Sequence, residues 1–447
     1  MQYCSIFFSF LFIVLSIIIS FLTSNLEYYT YLLVYFFIFL FVAKISGFDK
    51  DDILLIVRIY FFLTIISMLL VFHHNFYFNM PFDSYGDDAR YYNWAIDNSK
   101  NIFIPSYSIY EKFLGCILII FNWIGIKNNL YMLLPINVIV TTLCVIYSYK
   151  VSILVTNLKI KEFWIWLSII FNYTFLNNAI HLYRDIYIAL FSILFIYWWL
   201  QSELKIRYIF LLCFFRLPNA LIIILSYLID KLATKNKKYI IYSISGLLGL
   251  VIISFFSIKF GIKVGTKYDL ATAPSMVLNH IEHFRNAAIE AGGLMSMLHQ
   301  LPFIIKLFIN NFIQVIRPLS INPFFNTFDY SNITDVLDHR AIGWAITTLS
   351  LSLVAGRYLS AIVILINKFN DEKIRKVAVY FFIMTFVIGF LSFLDRHRMY
   401  IIIIYPTLIA LSIKYEGKYM YNNKLFYIGI GSVFFSVSVY GILNQIL

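Results

Sequence analysis

Residues 53–72 read Ile53-Leu-Leu-Ile-Val-Arg-Ile-Tyr-Phe-Phe-Leu-Thr-Ile-Ile-Ser-Met-Leu-Leu-Val-Phe72, an apolar run with a single charged side chain. About 20 apolar residues in a helix cross the roughly 30 Å hydrocarbon core of a bilayer. Comparable runs lie at 6–22, 29–42 and 239–258, and others follow toward the C-terminus. The pattern predicts an all-α, polytopic membrane protein with about 11–14 hydrophobic helices and with interfacial helices in its external loops.

Composition supports the same class of protein. Hydrophobic residues make up 61% of the chain, only 13% of the residues are charged, and the mean hydropathy is +0.81. Soluble domains carry about 25% charged residues. The net charge of +12 comes from basic residues scattered between apolar runs, which argues against nucleic-acid binding. We therefore expect residues 1–447 to form a single integral-membrane domain whose surroundings are the lipid bilayer.

The distribution of lysine predicts how the chain is oriented. Cytoplasmic loops of membrane proteins hold an excess of Lys and Arg. The first external loop then spans residues 74–106, and a large external segment spans residues 259–340. The basic residues that mark six cytoplasmic loops are Lys44 and Lys50; Lys150, Lys159 and Lys161; Lys205 and Arg207; Lys231, Lys235, Lys237 and Lys238; Lys368, Lys373, Arg375 and Lys376; and Lys414, Lys418 and Lys424.

Counting the crossings between these loops leads to two further predictions. Residues 107–126 lie at the interface or turn back, because they and residues 130–149 cannot both cross. Residues 208–230 form a re-entrant hairpin with an outward tip at 216–219, since Pro218 breaks a helix and irregular backbone at depth needs a polar cavity. If residues 208–230 crossed the membrane as one straight helix, all later loops would exchange sides.

A polar island interrupts the apolar sequence at Met80-Pro-Phe-Asp-Ser-Tyr-Gly-Asp-Asp-Ala-Arg-Tyr-Tyr-Asn-Trp-Ala95. Ser84 followed by Asp87 is typical of a capping box, so a helix is expected to begin here. Acids at a helix start are stabilised by about 0.3–1 kcal/mol through the macrodipole, which is the structural explanation for Asp83. Stabilisation of the helix dipole explains one acidic residue, but three are present. Asp87 and Asp88 are therefore candidates for a catalytic role.

The stretch Asp87-Asp88-Ala89-Arg90-Tyr91 resembles the Asp-Glu-x-Arg-Tyr motif in the first external loop of GT-C-type membrane glycosyltransferases, with Asp in place of Glu. The likeness covers roughly residues 80–200. It implies a GT-C-like fold, a polyprenyl-linked sugar donor and a glycan acceptor. It also implies that Asp87 activates the acceptor or steadies the transition state, that Asp88 supports it, and that Asp185 is the second acid of the site.

Eight arginines fall on the predicted external side or near it, against the usual cytoplasmic excess of basic residues: Arg90, Arg184, Arg216, Arg285, Arg317, Arg340, Arg396 and Arg398. A guanidinium group binds phosphate oxygens in bidentate fashion and stays charged, which suits a lipid-linked phosphate. The candidates for this role are Arg90, Arg184, Arg216, Arg317, Arg396, His397 and Arg398.

Structural explanations compete with these phosphate-binding roles. Arg184 and Asp185 also fit a pair that snorkels at a membrane boundary, and a carboxylate such as Asp185 also fits as the partner of Arg216. Residues 395–400 also fit a plain turn between two helices. For His181 the sequence leaves a functional and a structural role equally open.

A metal centre finds little support in the sequence. His280, Glu282 and His283 lie close together, but they lack two histidines at i, i+4 with a further ligand. We therefore predict no metal or other cofactor.

The expected function is that of a glycosyltransferase of O-antigen or capsule synthesis in the bacterial inner membrane, with its site facing the periplasm or exterior. Repeat-unit polymerase and single-sugar transferase remain equal alternatives within this class. A polysaccharide flippase or other lipid-linked oligosaccharide transporter is the competing class, and it would carry charges at the membrane midplane and repeat symmetry. A non-catalytic assembly subunit is the third, and it would tolerate Asp87→Asn.

Overall fold

We describe a computed structural model of the chain over residues 2–78, 87–102, 109–126, 130–233, 339–391 and 398–416, with positions 427 and 431. Within these ranges the secondary structure is entirely helical, which confirms the predicted all-α class. The described α-helices are α1 (Gln2–Leu22), α2 (Leu26–Ile45), α3 (Lys50–Phe78), α4 (Asp87–Lys100), α5 (Ile109–Trp123), α6 (Leu134–Thr156), α7 (Glu162–Ile165), α8 (Tyr173–Ile180), α9 (Asp185–Leu200), α10 (Ile206–Ala233), α11 (His339–Asn367), α12 (Glu372–Leu391), α13 (Met399–Ile402) and α14 (Tyr405–Lys414).

Among the described residues, four segments are long and apolar enough to cross a membrane. They are Leu26–Ile45, Lys50–Asn75, Leu134–Thr156 and Ile346–Asn367. The protein is therefore a multi-pass membrane protein, as its apolar runs predict. The predicted run at 239–258 and the large segment 259–340 lie outside the described residues, apart from the last two positions of that segment.

The predicted interfacial segment at 107–126 contains a single short helix. Helix α5 has 15 residues, about 22 Å at 1.5 Å per residue, which is less than the roughly 30 Å of a hydrocarbon core. The position of this segment at the interface stays a prediction.

The chain divides into two compact units, which we describe separately. The first, unit 1, contains Met1–Tyr147 and Thr174–Ile193, and the second, unit 2, contains Ser148–Tyr173 and Leu194–Leu447.

In unit 1, helices α4 and α5 pack closely against each other. The buried face of α4 carries Asp88, Tyr91, Ala95 and Asn98 at helical spacing. A Cβ atom on Gly115 of α5 would lie 2.7 Å from the Asn98 Cβ and 3.2 Å from the Ala95 carbonyl oxygen. The close approach therefore depends on glycine, and it fixes α4 and its acidic start against α5.

In unit 2, three basic side chains at the start of α12 bind the C-terminal ends of three other helices. Lys373 Nζ donates to the Leu154 carbonyl of α6 at 2.9 Å, and Lys376 Nζ donates to the Trp199 carbonyl of α9 at 3.0 Å. The Arg375 Nε donates to Asp230 Oδ1, in the last turn of α10, at 2.7 Å. Cations are stabilised at helix C-termini because the macrodipole is negative there.

These contacts correct part of the interpretation of the lysine distribution. Arg375 and Lys376 are buried in a helix, not solvated in a loop, because helix carbonyls and a carboxylate compensate their charges. The ends of α6, α9 and α10 and the start of α12 nevertheless meet at one end of unit 2. The described connecting residues beside these ends, 157–161, 201–205 and 368–371, therefore lie at the same end of unit 2.

Helix α10 is interrupted at Arg216, where the backbone is extended with φ −164° and ψ 98°. Lys205, just before α10, lies 4.8 Å from the ring of Trp198, and Tyr227 packs 5.8 Å from the ring of Trp199. A straight helix would place residues 206 and 227 about 32 Å apart. We infer that the chain reverses direction at Arg216, which agrees with the predicted hairpin and the break imposed by Pro218.

This reversal predicts that both ends of α10 are accessible from the same face of the membrane. We expect Lys205→Cys and Lys231→Cys, each in a background whose native cysteines are replaced by serine, to react with a membrane-impermeant maleimide in inside-out vesicles only. Asp97→Cys, in the predicted external loop, serves as the opposite-face control. Labelling of positions 205 and 231 from opposite faces would show that α10 crosses as one helix.

Candidate functional site

Asp88, the second residue of α4, connects the acidic island to a stretch 93 residues further along the chain. Its Oδ1 accepts a hydrogen bond from the Leu182 backbone N–H at 2.6 Å, and its Oδ2 pairs with Nδ1 of His181. Asp88 is 1% exposed and His181 is 5% exposed. Two polar stretches that the sequence singled out therefore meet in unit 1.

The non-helical segment His181–Arg184, between α8 and α9, is held by side chains from two further helices. Tyr110 of α5 donates to the Leu182 carbonyl at 3.1 Å. Asn137 of α6 donates to the carbonyls of His181 and Tyr183. Backbone groups outside helices need such partners when they are buried, so these bonds fix the conformation of the segment.

The Tyr110 hydroxyl stays protonated and therefore remains a hydrogen-bond donor. Burial raises the pKa of the Tyr110 hydroxyl well above its ordinary value, and neighbouring Tyr187 raises it further. The hydroxyl therefore keeps its proton and can donate to the Leu182 carbonyl.

The imidazole ring of His181 is held by contacts with two aromatic rings and by the bond between Nδ1 and Asp88. The ring stacks on Tyr183 with centroids 4.9 Å apart, and the ring of His74 from α3 lies at 5.7 Å. Asp88 holds Nδ1. The orientation of the ring is thus determined by contacts from three directions.

The other predicted residues of unit 1 lie along the same elements. Asp185 is buried and begins α9, and Arg184 precedes it and is half-buried. Arg90 is exposed on α4, with its guanidinium 5.1 Å from the Tyr91 ring. Asp87 is the first residue of α4, and its side chain lies outside the described part of the structure.

A second cluster in unit 2 includes two of the predicted arginines, each bonded to a tyrosine within residues 400–405. Arg216 Nη1 donates to the Tyr400 hydroxyl at 3.1 Å, and Arg398, 0% exposed, forms a hydrogen bond with Tyr405. The Tyr380 hydroxyl donates to the Tyr400 carbonyl at 2.9 Å. Arg317, Arg396 and His397 lie outside the described residues.

The position of Arg216 along the hairpin indicates its depth. The ten residues of the first arm, 206–215, extend about 15 Å from the end of unit 2 that carries the basic residues of α12. That is about half of a hydrocarbon core. Arg216 therefore lies at the turn of the hairpin, where the sequence predicts the tip, about half a core thickness from that end of unit 2.

Sequence reasoning missed three polar residues near the first cluster: His74 of α3, Glu111 of α5 and Asn137 of α6. All three are buried. Each interrupts an apolar stretch, and polar groups within such stretches are functional candidates by default. That signal was available and could have found them.

Metal binding finds no support in the part of the chain that the structure describes. Within it no group of three or more His, Cys, Asp or Glu side chains could hold a metal ion. The candidates His280, Glu282 and His283 lie outside it.

The fold and these clusters define a multi-pass helical membrane protein with buried ionisable side chains. Comparison with protein-family models, with curated proteins and with solved structures gave no match. The likeness to GT-C glycosyltransferases therefore rests on the residues of the Asp87–Tyr91 motif and stays a prediction.

Proposed function

We propose that this protein is a membrane glycosyltransferase of surface polysaccharide synthesis. It takes a sugar or oligosaccharide from a polyprenyl phosphate or diphosphate at the outer face of the bacterial inner membrane. The observation that carries the proposal is the bonding of Asp88 to His181 and Leu182, which joins the acidic motif to the stretch that contains Arg184 and Asp185. Residues about 93 positions apart in the chain thus meet in unit 1, which supports the proposal.

The chemistry of glycosyl transfer accounts for these residue types. The acceptor hydroxyl needs a base, and positive charge develops at the anomeric carbon as the lipid phosphate leaves. Asp87, at the start of a helix that Asp88 anchors, is the candidate base from the motif. Asp185 supports the developing charge, and the arginines bind phosphate oxygens.

Two activities within this class fit the arrangement equally. A repeat-unit polymerase joins lipid-linked oligosaccharides, whereas a single-sugar transferase adds one branch. Both use the same donor chemistry and the same residues.

A transporter of lipid-linked oligosaccharides is the second candidate, and one observation favours it. Arg216 and the fully buried Arg398 share a cluster that includes the tip of the α10 hairpin. Ionisable groups at membrane depth and broken helices beside them commonly mark pathways for polar substrates. In this role the arginines would bind the phosphate during its passage.

The test uses surface glycan ladders from a strain that lacks the gene and is complemented with variants. We expect Asp87→Asn to reduce glycan transfer at least 100-fold, since a general base contributes about 10²- to 10⁴-fold. Arg396→Ala should also impair it. Asp97→Asn makes the same change on the exposed end of the same helix and should leave the ladder intact.

The pattern of the ladder separates the alternatives. Loss of long chains indicates a polymerase, and full-length chains without one branch indicate a single-sugar transferase. A wild-type ladder from Asp87→Asn would contradict Asp87 as the base. Purified protein that forms no glycosidic bond from labelled polyprenyl-linked donor, yet moves that donor across vesicles, would establish the transporter instead.

A further inference from the structure

We infer that Asp88 and His181 form a catalytic dyad in which Nε2 of His181 takes the proton from the acceptor hydroxyl. This inference rests on the proposed function and refines it. It assigns the base to a histidine outside the acidic motif and leaves Asp87 the other role that the motif implies, which is to steady the positive charge of the transition state. It makes Asp88 a positioning residue that acts through His181.

The pairing determines which nitrogen of the imidazole is available. The Asp88 carboxylate lies against Nδ1, so Nδ1 carries the proton and donates it to the carboxylate. The lone pair is then on Nε2. This nitrogen makes no hydrogen bond with any residue in the described part of the chain. A carboxylate behind one nitrogen and a free lone pair on the other is the arrangement of a histidine base.

The carboxylate itself is prevented from turning away. Its other oxygen is held by the Leu182 N–H at 2.6 Å, one residue after the histidine that it orients. The ring is further restrained by Tyr183 and His74, and the His181 carbonyl is held by Asn137. Orienting an imidazole this closely serves proton transfer, whereas joining α4 to the segment needs only the bond to Leu182.

The proposed step balances as follows. The acceptor O–H gives its proton to Nε2, and the acceptor oxygen forms a bond to the anomeric carbon. The bond between that carbon and the phosphate oxygen breaks, and the lipid phosphate leaves with the electron pair. The Asp88 carboxylate stabilises the imidazolium until its proton passes to the departing phosphate or to water.

The decisive variant is His181→Asn, whose amide nitrogen takes the place of Nδ1 and keeps the bond to Asp88 while removing the base. The probe is the lipid-linked glycan that accumulates in the strain lacking the gene, extracted and radiolabelled, with transfer measured on purified full-length protein. We expect His181→Asn to lose at least 100-fold in transfer rate with its thermal midpoint little changed. The control is His73→Asn, which makes the same change in α3, next to His74. It should retain the wild-type rate.

A second variant protects the test against misfolding. His181→Ala leaves room for free imidazole, and we expect added imidazole to restore its transfer rate about tenfold, which a purely structural histidine would not show. If His181→Asn keeps more than half of the wild-type rate, the dyad is wrong while the proposed function stands. If wild-type protein forms no glycosidic bond, both are overturned.

Discussion

Arg375→Ala is expected to lower the free energy of unfolding by about 3–5 kcal/mol. The substitution removes the cation that is 2.7 Å from the buried Asp230 carboxylate, whose other oxygen has no hydrogen-bond partner among the described residues. A buried charge without a partner is strongly destabilising. Thermal unfolding of the purified protein in detergent measures the loss.

Two controls make this expectation specific. Lys205→Ala removes the same charge from an exposed pair with Glu203, and exposed pairs contribute only about 0–1 kcal/mol. The double variant Asp230→Ala/Arg375→Ala should be more stable than Arg375→Ala alone, because no unpaired charge remains. Equal stability of Arg375→Ala and Lys205→Ala would mean that the pair does not hold α10.

The same variant links stability to function. Asp230 lies in the returning arm of α10, and the hairpin presents Arg216 to Tyr400. Releasing this arm should therefore impair substrate binding even where protein remains folded.

Asp88→Ala is the second substitution with a large expected effect, about 2–6 kcal/mol. It leaves two buried donors, the Leu182 N–H and the His181 Nδ1–H, without their acceptor. Each unsatisfied buried donor costs about 1–3 kcal/mol. Thermal unfolding and the surface glycan ladder should both show the loss.

The chain offers a matched control and an intermediate variant. Asp97→Ala removes a carboxylate that is 62% exposed on the same helix, so it should change stability little. Asp88→Asn retains one carbonyl acceptor and should lie between Asp88→Ala and wild type. If Asp88→Ala unfolds at the wild-type temperature, the hydrogen bonds between Asp88 and the His181–Arg184 segment do not contribute the stability that we assign to them.

Much of the fold follows from local sequence because a bilayer imposes simple rules. The apolar run 53–72 lies within a candidate span because only a helix satisfies its own backbone in hydrocarbon. Pro218 predicts a break because it lacks an N–H, and the interruption lies two residues earlier, at Arg216. The acidic motif predicts a helix, and residues Asp87–Lys100 form α4.

Other features depend on contacts between residues far apart in sequence. The sequence left His181 open, and only the folded chain places Nδ1 of its ring against Asp88. Lysine counting assigned Arg375 and Lys376 to a loop, whereas tertiary packing buries them against helix ends that supply compensating negative charge.

The amino-acid sequence by itself determined that this is a helical, multi-pass membrane protein with polar groups concentrated at a few positions, since hydropathy and helix breaking act within about 20 residues. Only the tertiary structure decided which of those polar groups meet. The partner of a buried charge depends on which distant segments pack together. Local sequence patterns do not predict that packing.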